Sequence, residues 1–193
     1  KIREHGGFID KYIGDAIMAL FPDSIESGID AAVAIQRELA VFNQEQRVNG
    51  RPGIEIGLGL HNDMMVLGTI GEQGRMDTTV IADAVNLASR LESLSKTYGP
   101  GIIIVESLLE GMPNGLKYRF RHIGSVEIRG KRDTYPLIQI YEGLPEHRVA
   151  KLDETRDDWE KAMEAYESGD LGAARDLFES IVERDSEDLA ANY

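Results

Sequence analysis

Two different apolar periods alternate along this chain, and few architectures accept both. Residues 8–12 and 16–21 read as short strands joined by the tight turn Ile13-Gly14-Asp15, with Pro22 stopping the second. Ile25, Ile29, Ala32, Val33, Ile35, Gln36, Leu39 and Phe42 then recur at helical spacing. Residues 43–53 read as a polar loop, 54–60 as an alternating strand, 66–70 as its hairpin partner and 71–77 as a glycine-bearing loop. After the short apolar pair Val80-Ile81, residues Ala84, Val85, Leu87, Ala88, Leu91 and Leu94 form a second helical stripe, broken at Tyr98-Gly99-Pro100-Gly101. Residues 102–105 have the composition of a buried strand, 107–110 start a short helix, and 118–128 with 135–141 form a last antiparallel pair. Interleaved strands, hairpins and helices predict a mixed α+β fold.

The two ends differ from this middle. Residues 1–7 read as the end of a helix closed by a glycine, so the expectation is that a helix precedes residue 1. From Leu152 onward the pattern is purely helical, with two helices meeting at Gly169-Asp170. Charge divides the chain at the same place. The net charge is −13, and residues 151–193 hold five basic and fourteen acidic side chains, a net of −9 that leaves −4 for residues 1–150. Such acidity disfavours a nucleic acid polymer as partner, because phosphates need cations. With no cysteine, disulfides and thiolate metal sites are excluded. No apolar run reaches the roughly 20 residues of a membrane span. The expectation is a cytoplasmic domain without direct membrane contact, any anchor lying upstream.

Three polar constellations stand out. Asp15 sits in a turn between two apolar strands. A turn carboxylate is ordinarily a solvated turn former, but a rigid hairpin tip also suits Mg²⁺, which takes few protein oxygens beside substrate phosphates. Asn86 and Arg90 are four apart on a helix and share one face, as solvated residues do or as a ribose-orienting and charge-neutralising pair would. Arg129-Gly130-Lys131 is either a plain basic turn or a phosphate cradle. Asp10, His5 and His61 read as structural.

Taken in order, these stretches resemble the catalytic domain of class III adenylate and guanylate cyclases. Residues 7–21, around Lys11-Tyr12-Ile13-Gly14-Asp15, resemble that family's substrate and metal hairpin. Residues 56–61 and 68–71 are similar to its central hairpin, and residues 75–92, with Val85-Asn86-Leu87-Ala88-Ser89-Arg90, to its second signature. Arg129-Gly130-Lys131 matches its late phosphate turn. The resemblance covers about residues 1–143 and implies a ferredoxin-like core of βαββαβ type. That core is an antiparallel-rich sheet, expected to carry the helices at 25–43 and 84–95 on one face. Residues 1–146 are assigned to this domain, which lacks the family's first strand, its early helices and its other metal aspartate. Asn62-Asp63 stands where a Thr-Gly turn is usual. Residues 147–193 are assigned to an acidic helical tail whose Trp159, Ala162, Tyr166, Gly169, Ala173, Ala174 and Phe178 resemble a tetratricopeptide helix pair.

The resemblance implies an enzyme that makes 3′,5′-cyclic AMP and pyrophosphate from ATP. Asp15 would be the second of two aspartates that hold two Mg²⁺ ions, with Mn²⁺ as substitute, and Lys11 and Thr79 would read the adenine. Asn86 and Arg90 would orient the ribose and stabilise the transition state, with Arg129 and Lys131 on the phosphates. The base choice has a chemical reason: adenine offers an acceptor at N1 and a donor at N6, matching an ammonium and a hydroxyl. A guanylate cyclase is the lesser alternative, since those enzymes carry an acidic residue where Lys11 stands. A non-catalytic cyclase-like scaffold is the reading from another class. The family also implies a homodimer with shared active sites and an upstream sensor domain, and the fragment alone is expected to be inactive.

Overall fold

The computed structural model describes residues 1–64, 66–72, 75–81, 83–112, 115, 117–127 and 134–193. A short 3-10 turn, Arg3–His5, ends at Gly6 and leads into an antiparallel hairpin of β1 (Phe8–Ile13) and β2 (Ala16–Leu20). Gly14 takes a φ of 64° in the turn, a conformation that favours glycine. Helix α1 (Ile25–Val48) follows, capped by Ser24, whose hydroxyl accepts from the Ser27 amide.

The central sheet has four strands in the order β3 (Gly57–Leu60), β6 (Gly101–Val105), β8 (Thr134–Ile140), β7 (Phe120–Glu127). Strand β6 runs parallel to β3 and antiparallel to β8, and β7 pairs antiparallel with β8. A separate antiparallel hairpin joins β4 (Val66–Glu72) to β5 (Arg75–Ile81) and leads into α2 (Asp83–Tyr98). The class is the mixed α+β, antiparallel-rich one expected. Ile102, Ile103, Ile104 and Val105 are all completely buried, so β6 is covered on both faces.

The two long helices supply that cover from opposite sides, which differs from the one-face placement expected. Gly57 and Gly59 turn one face of β3 towards α2: a Cβ on Gly59 would collide with the Ala88 carbonyl oxygen and the Glu92 amide. Leu60, one residue on and therefore on the other face, reaches the Gly28 position of α1.

Three further expectations are corrected. Residues 43–48 continue α1, because Gln, Glu and Arg are good helix formers whatever their polarity. Residues 54–56 are not strand. The Asn43 amide donates to the Ile54 carbonyl and accepts from the Ile54 N–H, both at 2.8 Å, and Gln36 donates to the Ile56 carbonyl at 3.1 Å. With those backbone groups engaged by helix side chains, the strand begins only at Gly57. The hairpin partner of β4 is β5, and β3 pairs with β6 instead.

The tail consists of α3 (Glu146–Glu154), α4 (Arg156–Glu167), α5 (Leu171–Arg184) and α6 (Leu189–Asn192), with α4 and α5 forming a helical hairpin. It packs on the core. The Trp159 indole donates to the His122 carbonyl at 2.8 Å, and Tyr193 meets Tyr98 edge to face. At their junction lies a buried network. Arg121 pairs in bidentate fashion with Asp188 at 2.6 and 2.7 Å and donates to Gln139, which donates in turn to the Tyr98 and Pro100 carbonyls.

Candidate active site

The described candidate residues stand on three elements: the β1–β2 hairpin, α2 and β5. Strand β1 and its turn carry Lys11 and Asp15. The turn places Asp15 at the exposed tip, where its carboxylate makes no hydrogen bond or ion pair with any described residue. Phe8, Tyr12, Ile13 and Ile17 on the same hairpin are exposed as well, Tyr12 by 68%. A hairpin this apolar and this uncovered offers a surface for further chain.

Lys11 is not free. Its ammonium lies 3.2 Å from Asp10 Oδ2, and the Asp10 side chain is only 3% exposed. Adjacent residues of a regular strand point to opposite faces. Here the pairing steps from Ile9 opposite Ala19 to Lys11 opposite Met18, leaving Asp10 as an extra residue. This bulge lets the two side chains meet. Sequence reasoning left Asp10 aside as a lone polar residue, and nothing in the sequence marks the bulge that brings it to Lys11.

The second support is α2. Asn86 and Arg90 lie on its exposed side, while Ala84, Leu87 and Leu91 are buried beneath. Neither Asn86 nor Arg90 bonds to a described residue. The glycine face of β3 lets α2 sit backbone-close to the sheet, which fixes where its outer face points. Thr79 lies on β5, opposite Gly68. Arg129 and Lys131 lie outside the described residues.

Among the described residues no hydrogen bond or ion pair links the β1–β2 hairpin to α2. The hairpin thus presents a carboxylate and a held ammonium, and α2 an amide and a guanidinium four residues apart. An exposed, unpaired Asp15 fits a single Mg²⁺-facing ligand. Two ions need more oxygens than it supplies, and among the described residues no group of three or more potential ligands gathers.

Comparison with known proteins gives the chain's relatives. Residues 5–139 match the family model of the adenylate and guanylate cyclase catalytic domain. An adenylate cyclase of Anabaena cylindrica is 46% identical over 147 residues, covering 73% of this chain and 29% of that protein. The chain thus spans less than a third of that relative's length. The crystal structure of the guanylyl cyclase Cya2 superposes with a TM-score of 0.59 at 30% identity, covering 75% of this chain and 74% of that one. The adenylyl cyclase CyaB from P. aeruginosa gives 0.59 at 26% identity, covering 72% and 73%.

Proposed function

The chain belongs to the adenylate and guanylate cyclase catalytic-domain family, and we propose that within it the chain supplies the catalytic part of an adenylate cyclase. The reaction is attack of the ribose 3′-hydroxyl of ATP on the α-phosphate, giving 3′,5′-cyclic AMP and pyrophosphate. The observation that carries the choice of base is Lys11, a half-exposed ammonium on β1 that donates and cannot accept. Adenine N1 accepts such a donor, whereas guanine presents an N–H there. Thr79 supplies the hydroxyl that accepts from N6.

Asn86 orients the ribose, and Arg90 neutralises charge growing on the α-phosphate. Arg129 and Lys131 hold the terminal phosphates. Mg²⁺ ions, one of them facing Asp15, would activate the hydroxyl and steady the leaving group. Every other contribution is positioning by side chains. Two copies share each site, one giving Asp15 and the other Lys11, Thr79, Asn86, Arg90 and Arg129. The bare apolar hairpin supports that assembly. An upstream sensor domain controls the dimer, and the acidic tail is a tetratricopeptide-like pair attached to it.

The test is product analysis. The full-length protein given ATP or GTP, with Mg²⁺ or Mn²⁺, should release cyclic AMP from ATP far faster than cyclic GMP from GTP. Equal or greater cyclic GMP production would overturn the assignment, and absence of either product would favour a scaffold role.

A further inference from the structure

Asp10 is the one buried carboxylate on the hairpin, and the proposed chemistry leaves it without a task. Its side chain is 3% exposed, and Oδ2 has no hydrogen-bond partner among the described residues. A buried carboxylate oxygen lacking hydrogen bonds is costly unless a charge compensates it. Among the described residues the one charge paired with it is the Lys11 ammonium, 3.2 Å away and itself 39% exposed. The bulge between Ile9 and Lys11 brings the two together.

We propose that Asp10 is a positioning residue for Lys11, and that it sets how strongly the site discriminates adenine from guanine. Lysine carries its charge on a flexible four-carbon stem, so an unheld ammonium samples many positions. Asp10 anchors the charge at the strand. The contact is an ion pair without the alignment of a hydrogen bond, so the ammonium's N–H donors remain for the base. An ammonium held in place gives a sharp preference for an acceptor at N1. A loose one can swing away and tolerate guanine. This inference rests on the reading of Lys11 as the adenine donor.

The experiment compares kcat/KM for ATP and GTP in full-length wild type, Asp10→Asn, Lys11→Ala and the double variant. Asp10→Asn keeps shape and removes the charge. It should lower the ATP-to-GTP ratio by about fivefold, mainly through a higher KM for ATP. Lys11→Ala should lower the ratio further, and the double variant should match Lys11→Ala, because Asp10 acts only through Lys11. A purely structural Asp10 would lower kcat for both nucleotides in parallel and leave the ratio unchanged, which overturns the inference while the Lys11 reading stands. An unchanged ratio in Lys11→Ala overturns the reading and the inference with it. Should Asp10→Asn fail to fold by its melting curve, Asp10→Ser takes its place under the same expectation.

Discussion

The guanidinium of Arg121, on strand β7, lies over the indole of Trp159 on α4, 4.0 Å from the ring centre. The same guanidinium grips Asp188 with two nitrogens, and the side chains of that pair are 6% and 1% exposed. Sheet and tail are therefore joined through a desolvated charge, and removing one partner strands the other. Asp188→Ala should cost about 3–5 kcal/mol of unfolding free energy. Chemical denaturation of the chain checks this. Replacing Arg121 and Asp188 together by apolar residues should cost less than either single change.

Gly59→Ala should be destabilising by about 1–3 kcal/mol, since its Cβ meets the α2 backbone rather than a side chain that could swing away. It should also lower turnover by the full-length protein, because α2 must move and carries Asn86 and Arg90. Gly172→Ala is the contrast. The nearest atom to its Cβ is Asp170 Oδ1 at 3.7 Å, so alanine there should be neutral or mildly stabilising in α5. Melting temperatures of the two variants give the comparison.

Tyr141 is buried and donates to Asp153 Oδ1 at 2.9 Å. Burial first, and then that hydrogen bond, push its phenol up to about 12. The unfolded chain ionises this group near its ordinary value of about 10. Its contribution is thus fully present below pH 10 and is lost as the pH rises towards 12. Unfolding curves taken across that window should show wild type losing stability faster than Tyr141→Phe.

Lys11→Glu in the full-length protein should reduce ATP turnover on the order of 100-fold, because a carboxylate repels the N1 acceptor. Initial rates with ATP suffice. Turnover equal to wild type would remove Lys11 from base reading.

Full-length Asp15→Ala and Arg90→Ala variants should each be nearly inactive, while their mixture recovers activity. A heterodimer has one site in which both residues are intact. Subunit exchange is verified with two tags. A mixture as inactive as its parts, with exchange shown, would overturn the shared site.

The hairpin of β1 and β2, the stripes of α1 and α2 and the final strand pair could be read locally, because each carries its own period or its own turn. What escaped is held by distant partners. Ile54 and Ile56 alternate like strand residues, yet Asn43 and Gln36 engage their backbone groups, and nothing near residue 54 announces that. The opposite placement of the helices had a trace in the sequence. Gly57 and Gly59 alternate with Leu58 and Leu60, so the two faces of β3 differ in width and accept different neighbours. In the candidate site, Lys11, Asp15, Asn86 and Arg90 were singled out through motif order. The link from Asp10 to Lys11 depends on a bulge between Ile9 and Lys11 that the local sequence does not announce.

Arg121 and Asp188 are 67 residues apart in the chain. A ribosome makes the strand long before the carboxylate, and the contact cannot form until Asp188 has emerged. Until then the Arg121 guanidinium lacks its carboxylate partner. The final closing step of folding is therefore tied to the completion of synthesis of this region. A nascent chain stalled before residue 188 should remain open to protease at β7 and α4, however complete the strands and α1 already are.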